Sequence, residues 1–170
     1  TVTFLGAAGT VTGSTYLVTF KDTRLLVDSG IFQGEREWRE KNWLPPHFDP
    51  QSITAVLLTH AHVDHIGMLP RYRRLGLKAP IFCSPGTADL ARLMLLDSGR
   101  LQEEEAAFRA KHKKSRHDPP EPLYTEADAA SVLELLQPRP ISTSVEIADG
   151  VTATWSLMGH ILGACSIKLE

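Results

Sequence analysis

The order of apolar and polar positions along this chain predicts strands and helices in alternation. Residues 2–5 read as a short strand, and residues 15–20 and 24–28 as two more, with Lys21-Asp22-Thr23 between them as a hairpin turn. Residues 35–42 read as a short charged helix or turn that Pro45 and Pro46 end. The apolar run 53–58 is a strand, residues 68–75 a helix, and 79–83 a short buried strand. A long helix follows from Ser84, with Leu90, Leu93, Met94 and Asp97 on one face, a stripe assigned to core packing, and Gly99 is expected to kink it. Glu103 to Glu105 precede the basic residues 111–117, an order that complements a helix dipole and allows pairs four residues apart. Thr125-Glu126-Ala127-Asp128 is a capping-box-like start of a helix that runs through Leu133, Leu135 and Leu136 to Pro138. Residues 144–147 and 151–155 form a hairpin across Ala148-Asp149-Gly150, and 164–169 is a last strand.

Composition narrows the class. At 170 residues the chain is one domain or a piece of one. Apolar residues make up 42% and charged residues 22%, ordinary for a globular protein. A net charge of -2 argues against a strongly basic nucleic-acid binder and leaves room for a local basic patch. Cys83 and Cys165 lie far apart and outside any C-x-x-C spacing, which predicts buried, reduced thiols. No apolar run reaches the roughly 18 residues of a membrane span, and no basic region followed by an apolar one opens the chain. A cytoplasmic location is the default expectation, with no membrane partner.

The chemistry concentrates in Thr59-His60-Ala61-His62-Val63-Asp64-His65-Ile66-Gly67, at the turn from the strand 53–58 into a helix. Side chains alternate along extended chain, so His60 and His62 can point the same way and share one metal ion. Asp64 and His65 are adjacent and must diverge; where the helix starts they can reach a second ion. Imidazole and carboxylate suit zinc, and also manganese or iron. A single histidine is more often a core or surface residue, but the full H-x-H-x-D-H pattern in a strand-then-helix context is a metal signature. His160, in a glycine-flanked loop after a strand, reads on its own equally well as surface or core, and the isolated His47 reads as structural. The basic clusters 71–74 and 111–117 read as solvated helix ends rather than phosphate contacts. The small-residue loop 6–14 reads as a tight turn or as a wall of an active-site mouth.

The central motif resembles the signature of the metallo-β-lactamase superfamily. That resemblance implies an α/β fold of the αββα sandwich type, of which this stretch holds the first sheet and part of the second. It implies that His60 and His62 bind a first ion, that Asp64 and His65 bind a second, and that His160 is the third ligand of the first. It also implies that Asp28, at the end of an early strand, steadies the metal-binding loop rather than binding metal, so Asp64 and Asp28 are the catalytic candidates. Phe32-Gln33-Gly34 after Asp28-Ser29-Gly30, Leu96-Asp97-Ser98-Gly99-Arg100, and Pro122-Leu123-Tyr124-Thr125-Glu126-Ala127-Asp128 are similar to the bacterial β-CASP branch, which holds RNA-processing nucleases. This branch implies two divalent metal ions, foremost zinc, and a ribonuclease that cleaves phosphodiester bonds of single-stranded RNA with a metal-bound hydroxide. A homodimer of the longer protein is left open.

The superfamily pattern runs on past Glu170. A bridging aspartate, a further histidine for the second ion and a β-CASP domain are expected beyond it. Residues 1–170 are therefore expected to be the N-terminal part of the domain, with a helical insertion near 103–122 and weaker binding of the second ion. The alternative function is a small-molecule hydrolase on the same dinuclear site, a glyoxalase II-type thioesterase or a lactonase. A zinc-stabilised binding module is a third class, disfavoured because structural zinc sites are closed and four-coordinate.

Overall fold

Two antiparallel pairings open the chain: β1 (Val2–Phe4) with β2 (Tyr16–Phe20), and β2 with β3 (Thr23–Val27). The computed structural model of the protein describes residues 1–112 and 120–170. After β3 the chain changes to parallel pairing, which needs crossovers, and helices supply them. α1 (Arg36–Lys41) and a 3-10 turn at Pro50–Ser52 lead to β4 (Ala55–Leu57). α2 (Val63–Ile66) and α3 (Leu69–Arg74) lead to β5 (Ile81–Cys83), and α4 (Pro85–Lys111) and α5 (Glu126–Leu133) lead to β6 (Leu136–Pro138). The first sheet has the order β1-β2-β3-β4-β5-β6. A second, antiparallel sheet has the order β7 (Ser144–Ala148), β8 (Val151–Leu157), β9 (Cys165–Leu169).

The apolar run 53–58 is explained by its two covers. Val56 and Leu58 pack with Ile66, Leu69, Ala91, Leu95 and Val132 on the helical side. Ala55 and Leu57 pack with Phe82, Ala153 and Trp155 toward the second sheet. A parallel strand buried on both faces has no polar face to show. The layers are thus helices, first sheet and second sheet, the α/β arrangement expected from the sequence. Trp155 is fully buried and its indole Nε1–H donates to Leu58 O at 3.1 Å, which pins the second sheet to the end of β4.

The expected capping box is present. Thr125 Oγ1 accepts from Asp128 N at 3.1 Å, and Asp128 Oδ2 accepts from Thr125 N at 2.9 Å. The expected helix to Leu136 is shorter, however. It ends at Leu133, and Leu136–Pro138 pairs in parallel with Ile81–Cys83 as the edge strand. Proline is tolerated there because an edge strand needs no donor on its outer side.

The stripe expected on α4 holds only at Leu90, which packs against the core. Leu93 is 68% exposed and Met94 lies at the surface, while Ala88, Ala91, Leu95 and Gly99 are buried. Small residues win this face because α5 crosses α4 closely. A Cβ on Gly99 would lie 2.8 Å from the backbone N and Cα of Glu126, so Gly99 permits contact between helices rather than kinking one. Residues 103–111 continue α4, with Ala106 buried, Glu103 Oε2 accepting from Glu126 N, and Glu105 paired with Arg109 one turn on. Residues 113–119, which carry part of the expected insertion and most of the basic cluster, lie outside the described residues.

Both cysteines are free and buried. Burial pushes the Cys83 thiol up to about 12 and raises that of Cys165. A thiolate is the reactive form, so neither cysteine should react with a thiol reagent at neutral pH in the folded protein, and both should react once urea unfolds it. Rapid labelling without denaturant would contradict this packing. Gly99→Ala should lower the urea midpoint. An exposed helix would gain about 1 kcal/mol from this change, but here the added methyl meets backbone, and overpacking costs about 1–3 kcal/mol. A raised midpoint would show that α5 can retreat.

Candidate metal centre

After β4 the chain bends at Thr59 and reaches His62, which holds the N-cap position of α2 with extended backbone (φ -66, ψ 146). His60 and His62 bring their rings together there, and Asp64 and His65 occupy the first turn of α2. The segment after β3 braces this turn from below. Ser29 N donates to His65 O at 2.6 Å, Ile31 N to Val63 O at 3.1 Å, and Ser14 N to Asp64 O at 2.8 Å. Gly30 sits in the centre of the brace, where a Cβ would fall 1.6 Å from Asp64 O. The sequence reading did not single out Gly30; its position two residues after Asp28 was the available signal.

Three imidazoles converge. His60 Nε2 lies 3.1 Å from His62 Nδ1, and His160 Nε2 lies 3.2 Å from the same atom. The candidate ligand atoms of all three are within 4.8 Å of one another. His160 arrives from the loop between β8 and β9, so the cluster joins the two sheets. His60 is buried, His62 half-buried and His160 exposed, which leaves the cluster open on one side. Asp64 and His65 flank it: the His65 ring lies 3.9 Å from that of His60, and His65 Nε2 lies 3.8 Å from Asp64 Oδ2.

Asp28 lies beneath, 1% exposed, and both of its oxygens are engaged. Oδ1 accepts from Thr59 N at 2.8 Å; Oδ2 accepts from Thr59 Oγ1 at 2.7 Å and from His65 Nδ1 at 2.8 Å. With its proton on Asp28, Thr59 Oγ1 can only accept from His60 Nδ1, 2.9 Å away. One carboxylate thus sets the tautomer of two rings, directly for His65 and through Thr59 for His60, and frees both Nε2 lone pairs. Burial, reinforced by the rings of His65, His62 and His160, lowers the pKa of His60 to about 4, so its lone pair is available at neutral pH. Burial also disfavours the charged form of His65, but the hydrogen bond and charge of Asp28, with Asp64, outweigh it and raise its pKa.

A divalent cation fits this donor set. His62 Nδ1 can give one proton to only one of the two lone pairs that face it, whereas a cation among the three nitrogens satisfies all of them. Three imidazoles beside a carboxylate–imidazole pair is borderline-ligand chemistry suited to such an ion.

Other candidates lie elsewhere. Of the basic cluster expected as a solvated helix end, Arg74 is exposed, while Arg71 and Arg73 are half-buried; all three donate to carbonyls, of Leu123, Trp43 and Leu77 respectively, tying α3 to its surroundings. A cavity of about 290 Å³ opens beside the loop 6–14, lined by Phe32, Trp38, Lys41, Phe48 and Tyr72 among others and by none of the clustered histidines. His47 lines that cavity, away from the cluster.

The profile of the Metallo-beta-lactamase superfamily matches residues 8–134. The chain belongs to the metallo-β-lactamase superfamily. Among its relatives, Ribonuclease TTHA0252 of Thermus thermophilus is 43% identical over 99 residues, covering 58% of this chain and 22% of that protein. Transcription termination factor FttA of Methanocaldococcus jannaschii is 29% identical over 169 residues, covering 99% of this chain and 25% of that protein. The chain therefore spans about a quarter of the length of these curated relatives. The fold is shared with solved superfamily members such as MEM-A1, a subclass B3 metallo-β-lactamase from a soil metagenome library. The TM-score is 0.54 at 16% identity, over 94% of this chain and 52% of that one. Among the described residues, no helix is long and apolar enough to cross a membrane.

Asp28→Asn tests the brace. The amide would turn a donor toward Thr59 or His65, and divalent-metal affinity should fall about 10–100-fold, the usual scale for partners that orient ligands. Competition with a chromophoric chelator measures it. Unchanged affinity would reduce Asp28 to a packing role.

Proposed function

We propose that this chain carries the metal centre of a ribonuclease that hydrolyses phosphodiester bonds in single-stranded RNA. The observation that carries the reading is the convergence of His60, His62 and His160 beside the Asp64–His65 pair. Likeness to a protein named a ribonuclease, and the β-CASP-like wording around residues 28–34 and 96–100, support RNA as the substrate. We assign two zinc ions. His60 Nε2, His62 Nδ1 and His160 Nε2 would hold one, and Asp64 and His65 would contribute to the other. Bound divalent ions would supply Lewis acidity, making water acidic enough to lose a proton near neutral pH and stabilising charge that develops on the phosphate. The protein's own part is positional. Asp28 and Thr59 keep the Nδ1 protons of His65 and His60 in place, so that both rings present Nε2. Asp64, partly exposed at the mouth, is the carboxylate assigned to orient the attacking water and take its proton.

The test is cleavage of end-labelled single-stranded RNA by the full natural protein, zinc-loaded, beside Asp64→Ala. Cleavage should be present in the natural protein and fall by at least about 100-fold in the variant, the scale of a lost acid–base group. Intact RNA together with hydrolysis of a thioester or lactone would overturn the ribonuclease reading in favour of a small-molecule hydrolase.

A further inference from the structure

The histidine cluster draws its members from two sheets, and the two sides are held differently. His60, His62, Asp64 and His65 share one continuous segment, braced by Asp28 and residues 29–31. His160 is exposed on a loop of the second sheet. That loop is closed locally, by Met158 N donating to Ala164 O at 2.8 Å and Ala164 N donating to Ile161 O at 3.0 Å. The second of these bonds closes a turn whose third residue, Gly163, has φ 76, the conformation such turns reserve for glycine.

The turn aims the Gly163 carbonyl at the start of α4, where two hydroxyls await it. Ser84 Oγ donates to Gly163 O at 2.6 Å and Thr87 Oγ1 donates to the same oxygen at 2.9 Å. Both side chains are fully buried. Ser84 Oγ also caps α4 by accepting from Thr87 N at 3.1 Å, so its position is fixed from the helix side. The approach is as close as backbone allows: a Cβ on Gly86 would lie 3.0 Å from Gly163 Cα, and one on Gly163 would lie 2.2 Å from Thr87 N. Two residues later, Cys165 N donates to Thr59 O at 2.9 Å, beside His60. The loop is therefore anchored at two points, one to the metal-binding segment and one to α4.

We propose that Ser84 and Thr87 are positioning residues for the metal centre: by holding the Gly163 carbonyl they set the place of His160 against His60 and His62. The proposal rests on the reading of His160 as a metal ligand. Removing both hydroxyls leaves the buried carbonyl with only the weak thiol donor Cys165 Sγ at 3.3 Å, a contact within the loop itself, and of the two anchors to the rest of the fold only the Cys165–Thr59 bond is left.

Cobalt(II) reports the ligand set through its visible absorption, independently of activity. Natural protein, His160→Ala, the double variant Ser84→Ala/Thr87→Val, Thr87→Ser and Thr125→Ala are titrated with cobalt(II). His160→Ala should change the spectrum; if it does not, His160 is not a ligand and the underlying reading fails. Given that change, the double variant should bind cobalt(II) about tenfold more weakly or worse, with a spectrum shifted toward that of His160→Ala. Thr87→Ser, which keeps the hydroxyl, should retain the natural spectrum. Thr125→Ala removes the cap of α5 and serves as the control for plain loss of stability, and it too should keep the natural spectrum. A double variant with natural affinity and spectrum would overturn the proposal, and so would a spectrum that Thr125→Ala shifts equally. If the double variant fails to fold, Thr87→Val alone carries the same comparison.

Discussion

A buried carboxylate organises this structure. Asp28 is sealed from water, so its charge is tolerable only because each oxygen accepts strong hydrogen bonds, two from Thr59 and one from His65. Those partners exist because β3 and β4 run parallel in a register that sets Val27 beside Leu57, with Asp28 N donating to Leu57 O at 2.9 Å. The strand ends are therefore level, and the residue after β3 meets the residues after β4. The same need explains why a non-glycine residue holds φ 55 at this point. Left-handed backbone costs on the order of 1 kcal/mol or more, and here it is the turn that brings the carboxylate under the histidines. Strand pairing, a strained residue and the tautomers of two imidazoles are thus one arrangement.

The rest of the centre depends on how the second sheet is laid over the first. The Trp155 indole fixes β8 to Leu58 O, and Cys165 N fixes the start of β9 to Thr59 O. Both bonds end within two residues of His60, so the alignment of the sheets is set beside the site. Because the three nitrogens come from both sheets, a metal ion joining them would also join the layers. Its binding energy would then add to folding stability.

What could be read from the sequence was what is local in the chain. The H-x-H-x-D-H motif places four candidate ligands within six residues, and alternation along an extended segment suffices to aim two of them together. The capping box at Thr125 and Asp128 and the hairpin turn at Ala148-Asp149-Gly150 are likewise short-range. The misplaced features depend on distant partners. Leu136-Gln137-Pro138 is a strand only because β5 lies beside it. At Gly99 the close crossing of α5 requires a residue without a side chain, and the buried face of α4 runs through Ala88, Ala91, Leu95 and Gly99 rather than through Leu93 and Met94. Arg71 read as part of a solvated helix end because the Trp43 carbonyl it bonds lies 28 residues away. His160 could be assigned only by resemblance, since nothing near it in sequence reveals the 98-residue contact with His62.

The central claim is that His60, His62 and His160 hold one divalent ion. Anomalous diffraction at the zinc edge from zinc-soaked crystals tests it most directly. The account predicts a strong peak about 2.0–2.1 Å from His60 Nε2, His62 Nδ1 and His160 Nε2 together. Zinc bound elsewhere with this position empty, or bound through a different nitrogen of His60, would contradict both the ligand set and the tautomers that Asp28 imposes.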